Sequence, residues 1–395
     1  MNLLFLLLLF TFLSRIRGNH REKVREALHH FGCDQTALKF LDCKDNDEEW
    51  NLFQKIFDKK YGDETTKTQR RKIFAEKAEK IRQNHKEFAN GNVTYLLGFN
   101  KFSDLTDSEI KQFMGVKRKS LNFASWLGML SKTKKISSFV ANVGSSSSCN
   151  LREDHAIPVK DQKSCGACWA FSAIGVLEYI YYKNSQTYVD LSEQKTSDCA
   201  RTLPSGCNGG LPEEAYKYYM SYGLPKESSA PYTATNTYAN DYLRRTYYCY
   251  FANNAQVTTS TANAPNNWHI LTPNTEENIK AALHKYGWLS VCVNANEWST
   301  YQGGILTETA SKKADVNHAV NLVGYGEETV NGKTTKFWLI RNSWGSSWGE
   351  NGYIRIERDV GAFSIVQYAS GTTYATSKND KADFDFCKGK PYTNS

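Results

Sequence analysis

The stretch Cys165-Gly166-Ala167-Cys168, standing at the head of a mostly apolar run to Tyr182, constrains this chain more than any other. Trp169, Phe171, Ile174, Val176, Leu177 and Ile180 place apolar side chains nearly all round a helix, so the run reads as a buried helix. A cysteine in the first turn of such a helix meets unsatisfied N–H groups and the positive end of the macrodipole, which favour a thiolate. Thiolate is the reactive form, and position 168 therefore suits a nucleophile. The same letters allow a redox disulfide or half of a zinc site. No second Cys-x-x-Cys exists to complete the latter, and no metal site or cofactor is expected.

Nucleophilic sulfur needs an imidazole to take its proton and later to protonate the leaving amine. Of the eight histidines, His20, His29, His30 and His85 precede the cysteine by a long way. His155, His269 and His284 lack a strand context. His318 opens an apolar strand that runs through Val323 to Gly324-Tyr325-Gly326. A third group should hold the other ring nitrogen. Asn342 ends another apolar strand, Phe337 to Arg341, at a turn, and its side-chain carbonyl can accept from the ring N–H. Trp344, two residues on, would screen that bond from water.

The length of 395 residues allows two or three domains. The net charge of +8 is unevenly spread: 24 Lys+Arg face 17 Asp+Glu between residues 19 and 140, and the remainder is nearly balanced. No basic stripe follows, so nucleic acid is not an expected partner. The run from Leu3 to Leu13 is too short to span a bilayer and reads as a signal-peptide core, with Gly18 at the cut and a secretory route as the consequence. Ten cysteines then imply disulfides. Asn92-Val93-Thr94 is a glycosylation sequon. Residues 19–49 are charged and helix-prone. Cys33 and Cys43 within them are expected either to close a local disulfide or to pair elsewhere. Apolar spacing from Trp50 to Phe88 predicts two amphipathic helices broken near Tyr61-Gly62-Asp63. Lys132 to Ser148 turns polar and small, as in a cleavable linker, with activation expected between about Lys135 and Cys149.

The segment around Cys168 has the Cys-Gly-[Ser/Ala]-Cys-[Trp/Tyr] form and resembles papain-like cysteine protease proenzymes of the cathepsin L group. His318 and Asn342 follow in that family's order, 150 and 174 residues after the cysteine. The second separation exceeds the usual range, a difference assigned to extra residues between Tyr232 and Ile270. Arg70, Ile73, Phe74 and Ile81 follow the family's interrupted prosegment spacing, with Thr66, Lys77 and His85 departing from it. Gly98 to Asp104 fits the next prosegment element completely. The resemblance covers about Trp50 to Tyr374.

It implies an α+β fold: a papain-like pair of lobes, one helical and one β-barrel-like, preceded by a helical inhibitory prosegment. The implied divisions are a signal peptide at 1–18, a charged extension at 19–49, prosegment and linker at 50–144, and a peptidase domain with a C-terminal tail at 145–395. Cys168, His318 and Asn342 would be catalytic and Gln162 would donate to the oxyanion. Gly209 and Gly210 would let a substrate strand approach. Leu211, Pro212, Cys292, Ala319 and Gly371 would line a specificity pocket. None of the five is charged, so a hydrophobic or aromatic residue is expected just before the cleaved residue.

Disulfides would join Cys165 to Cys207 and Cys199 to Cys249, with a Cys149–Cys387 bond a further possibility, while Cys292 reads as a buried thiol. Lys163 replaces a usual glycine and adds a charge expected to lower the thiol pKa. The implied partners are peptide and protein substrates and the chain's own prosegment, which would lie backwards along the cleft and leave in acid as carboxylates such as Asp104 protonate. A monomer in a lysosome-like compartment or outside the cell is expected. The rival readings are an exopeptidase of the same fold and a catalytically silent binding or inhibitory relative. The insertion from Thr233 to Thr261 carries no histidine, which favours an endopeptidase.

Overall fold

A computed structural model describes residues 20–33, 35–116, 135–137, 146–153, 156–200, 206–237, 241–251, 256–257, 265, 267–272, 275–307, 315–373 and 385–392. The expected signal peptide and most of the expected linker lie outside these residues.

The first layer is helical. Residues 20–30 form α1, and α2 (Gln35–Leu41), α3 (Asn46–Ile56) and α4 (Glu64–Ala89) follow. Asp45 and Asp63 start α3 and α4 by accepting backbone N–H groups of the first turn. The break expected near Tyr61-Gly62-Asp63 therefore falls where α4 is capped. Trp50, Phe53, Phe74, Ile81 and Phe99 share one core, and Trp50 stacks on Tyr61 with ring centres 5.6 Å apart. Chain departures from the prosegment pattern are filled by other donors: Lys77 Nζ bonds the carbonyls of Phe102 and Leu105 at 2.7 and 2.6 Å, and His85 Nε2 bonds that of Leu97 at 2.8 Å.

The expected local Cys33–Cys43 disulfide is not formed, and both residues are thiols. Cys33 Sγ bonds Gln302 O at 3.3 Å, whereas Cys43 Sγ turns back to Lys39 O. The extension is thus held to the sheet by packing instead of being closed on itself. Phe31 and Cys33 press on the backbone of Gly303 and Gly304, where a Cβ would meet them at 2.9–3.1 Å.

The peptidase part has the expected helical and sheet-rich lobes. Helix α6 (Cys168–Ser185) is buried from Cys168 to Ile180. It crosses β9 (His318–Val330) so closely that a Cβ on Gly175 would meet Asn321 Oδ1 at 2.4 Å. The sheet order is β1-β8-β11-β10-β9-β7-β12-β6-β2, with β3 (Cys149–Asn150) against β9. The inner strands are β6 (Asn267–Thr272), β7 (Leu289–Val293), β8 (Tyr301–Leu306), β10 (Lys333–Arg341), β11 (Tyr353–Glu357) and β12 (Ala369–Thr373). Both outermost strands precede the peptidase region: β1 (Tyr95–Leu97) pairs with β8, and β2 (Lys135–Ser137) pairs with β6.

Disulfides join Cys165–Cys207, Cys199–Cys249 and Cys149–Cys387. Cys292 is a buried thiol. Among the described residues, no helix is long and apolar enough to cross a membrane.

Candidate active site

Sheet pairing assembles the site. His318 is the first residue of β9 and Asn342 follows the last residue of β10, and these strands are antiparallel neighbours. His318 Nε2 lies 2.8 Å from Asn342 Oδ1. The same oxygen accepts the Ser343 N–H at 2.8 Å, which holds the amide in place. Trp344, fully buried, lies over the imidazole with ring centres 4.9 Å apart. Trp298, which sequence reasoning did not single out, meets the ring edge-on at 6.3 Å. His318 Nδ1 is buried with no hydrogen-bond partner among the described residues.

Cys168 opens α6 and is fully buried. Its sulfur is reached by backbone N–H groups of Gly115, Trp169 and Ala319, the last adjacent to His318. Burial nevertheless dominates: it pushes the thiol up to about 11, and it pulls His318 down to about 4 against the stabilising effect of Asn342. With the prosegment in place, burial favours the neutral form of both groups. The expected lowering of the thiol pKa by Lys163 is therefore overridden by desolvation. Lys163 is exposed, and its φ of 52° explains why glycine suits that position.

The prosegment fills the cleft with main chain. Gly115 N–H points at Cys168 Sγ at 3.2 Å, and Gly115 O accepts from Gly210 N at 2.8 Å. Val116 bridges to Gly210 in parallel and donates to Asn317 O at 2.9 Å. A Cβ on Gly209 would strike Gly115 O at 2.3 Å, so the approach requires that glycine. Gln162 is fully buried. Its amide nitrogen donates to Phe113 O and Cys165 O at 2.8 and 2.7 Å, while Ser343 Oγ holds its carbonyl at 2.5 Å. A prosegment peptide carbonyl thus sits on the expected oxyanion donor.

Four of the five proposed pocket residues gather near the sulfur. Leu211, Cys292 and Ala319 cluster with Cys168, Val116, Val316 and Tyr368, and Pro212 opens the adjoining helix α8 (Pro212–Tyr222). Gly371 does not join them. A Cβ there would meet Leu289, Trp288 and Tyr286 in the main core. The reason is the two-residue alternation of a strand: Ala369 and Gly371 face one way, Tyr368 and Ser370 the other. Sequence reasoning missed Tyr368, which joins this cluster, and Glu213, whose carboxylate accepts the Tyr368 hydroxyl. The alternation in Tyr368-Ala369-Ser370-Gly371 is the signal that pointed to the first.

Of the remaining histidines, His284 lies in α10 (Glu276–Tyr286) and bonds Asp385 and Tyr325. His269 lies in β6, contrary to the expected lack of strand context. Asn92 is exposed after α4 and bonds Glu87 Oε2 at 2.6 Å. A cavity of about 670 Å³ lies between α1, α2 and α4, lined by Val24, Leu28, Phe40, Ile81 and Phe99 among others. It shares no residue with the cleft.

Comparison with known proteins fits this geometry. The papain family cysteine protease profile matches residues 145–373, and that of the cathepsin propeptide inhibitor domain (I29) matches residues 50–110. The chain belongs to the papain family of cysteine proteases and carries its own inhibitory propeptide. It is, more narrowly, a proenzyme of the cathepsin L group. Cathepsin L of Sarcophaga peregrina is 33% identical over 322 residues, covering 79% of this chain and 88% of that protein. Digestive cysteine proteinase 3 of Homarus americanus is 32% identical, covering 78% and 89%. The structure of digestive procathepsin L2 proteinase from Tenebrio molitor larval midgut superposes with a TM-score of 0.70, at 26% identity, covering 84% and 100%.

Proposed function

We propose that the mature enzyme is an endopeptidase in which Cys168 is the nucleophile, His318 the base and Asn342 the group that orients it. His318 takes the thiol proton, the sulfur attacks the peptide carbonyl carbon, and the tetrahedral oxyanion is held by the Gln162 side chain and the Cys168 N–H. Collapse releases the amine, protonated by His318, and leaves a thioester that water hydrolyses. Gly209 and Gly210 seat the substrate strand, and the pocket around Leu211, Pro212, Cys292 and Ala319 takes a hydrophobic or aromatic residue just before the cleaved residue. The observation that carries this reading is the prosegment backbone on Cys168, Gln162 and Gly210 at once. It presents an N–H to the sulfur in place of a carbonyl carbon, so it occupies the groove without reacting.

The proenzyme enters the secretory pathway, loses residues 1–18, and is activated by a cut between about Lys135 and Cys149. It works as a monomer in a lysosome-like compartment or outside the cell, with Asn92 glycosylated. Residues 19–49 form an extension that docks on the sheet, 50–144 the prosegment and linker, and 145–395 the peptidase. Cleavage of an internally quenched peptide blocked at both ends, by acid-activated enzyme, is expected and should vanish in Cys168→Ala. Cleavage only of peptides with a free end would replace this reading with an exopeptidase.

A further inference from the structure

Folded interiors rarely leave a gap larger than a water molecule, so the cavity of about 670 Å³ between α1, α2 and α4 calls for an occupant. Its size falls inside the roughly 300–1,000 Å³ of small-molecule sites. The walls are apolar: Val24 and Leu28 come from α1, Phe40 and Leu41 from α2, Ile81 from α4, and Phe99 from the segment after β1. All six are buried. An apolar space of this kind holds water poorly and takes an apolar ligand.

The charged groups of the lining stand toward solvent. Arg21, Arg82 and Lys86 face one carboxylate, Glu49. Arg82 is already engaged, by Glu49 at 2.8 Å and Glu79 at 3.1 Å. Arg21 has a backbone carbonyl, Cys43 O at 3.4 Å, besides a longer-range attraction to Glu49. Lys86 is exposed, and among the described residues no ion pair holds it. An adjoining hollow contributes Asp45 and Asp47, but Asp45 caps α3 and Asp47 pairs with Arg71. Two cations at the edge of an apolar chamber are therefore left for an anionic group from outside.

The lining also joins three parts of the chain. Helices α1 and α2 precede the matched propeptide, α4 and Phe99 belong to it, and Gln302 belongs to β8 of the peptidase. A molecule in the cavity touches all three, whereas an enzyme freed of the first two keeps Gln302 alone.

We propose that this cavity binds one fatty acid, its acyl chain among α1, α2 and α4 and its carboxylate on Arg21 and Lys86, and that the bound molecule ties the extension and the propeptide to the peptidase. The proposal is independent of the endopeptidase reading, because no residue of the cleft takes part.

The test is equilibrium dialysis of labelled laurate, below its micelle concentration at pH 7, against proenzyme carrying Cys168→Ala to prevent self-cutting. One saturable site per chain is expected. Dodecanol, the same chain without the charge, should bind at least about tenfold more weakly, the size of one lost charge-assisted hydrogen bond. Arg21→Gln combined with Lys86→Gln, both at exposed positions, should weaken laurate by about tenfold or more and leave dodecanol unchanged. Ala37→Phe puts a ring into the chamber and should weaken both ligands. The urea midpoint of the proenzyme should rise with laurate concentration, as binding to the folded state alone requires. Acid-activated enzyme freed of the propeptide should bind none.

Absence of a saturable laurate site overturns the proposal. So does dodecanol that binds as tightly as laurate, or laurate affinity unchanged by the paired Gln substitutions, and none of these outcomes depends on Ala37→Phe folding. Equal binding to the mature enzyme would place the site elsewhere and overturn it too. A urea midpoint that laurate does not move would overturn the tie between the three parts.

Discussion

Gln162 illustrates how one side chain serves two states. In the proenzyme its amide nitrogen is occupied by Phe113 O, and Ser343 fixes the other end of the amide. In the proposed mechanism, departure of the prosegment frees the same N–H for the carbonyl oxygen that turns anionic. Gln162→Ala should lower kcat by about two to three orders of magnitude with KM little changed, since a donor of this kind stabilises the transition state by roughly 3–4 kcal/mol. Steady-state kinetics of titrated mature enzyme checks this, and a change confined to KM would show that Gln162 only binds. The positions of the candidate site residues were legible because each has a distinctive local setting: a helix start for Cys168, strand ends for His318 and Asn342. Their neutral state was not, because burial by a segment some 50 residues upstream leaves no mark near position 168.

At the scale of elements, α4 shows where sequence reading works and where it stops. Its capping aspartate and apolar spacing mark both the helix and the break before it. That Lys77 would bond carbonyls of the loop after β1, and His85 that of Leu97 at the end of β1, could not be read from a spacing that leads one to expect Asn. The substitution at 85 has a pH consequence. Burial lowers His85 to about 4 from an ordinary 6.5, with Arg82 nearby adding repulsion and the Leu97 carbonyl opposing it. A folded-state pKa below the unfolded one means stability is fully present above pH 6.5 and is lost as the pH falls through 4, up to about 3 kcal/mol. The charged neighbours around the shared cavity are Arg21, Glu49, Arg82 and Lys86, with His20 across it.

The Arg70–Glu109 pair behaves differently. Arg70 holds Glu109 down to about 2, so that link persists through the mildly acidic range. We therefore expect His85→Asn, which keeps a bond to Leu97 without a proton to gain, to flatten the fall in melting temperature of Cys168→Ala proenzyme between pH 6.5 and 4. Parallel curves for the wild-type and His85→Asn proenzymes would assign acid loosening elsewhere.

For the whole molecule, the two lobes were expected from the resemblance to papain-like proenzymes, but the way the lobes are tied to each other and to the preceding segments was not. Cys149–Cys387 joins the start of the peptidase region to the tail, a pairing that spacing alone left open. Lys160 is another tie that no motif announces. It binds Glu178, Glu193 and Asp190 at 2.7–2.8 Å, anchoring the segment that leads to Cys168 to α6 and to α7 (Glu193–Cys199). Removing the cation leaves two buried carboxyls without it, and Lys160→Met should cost about 3–5 kcal/mol. The urea midpoint of the proenzyme reads this, and a loss below about 1 kcal/mol would show that both acids are protonated there.

The placement of β1 and β2 at the two ends of the strand order has its own outcome. When the leading segments are cut away, β8 and β6 each lose a neighbour, and two rows of main-chain donors and acceptors face solvent together. With the proposed cut placed after Ser137, activation would open two lateral seams as well as a groove, each a row of main-chain groups along which an extended polypeptide could pair.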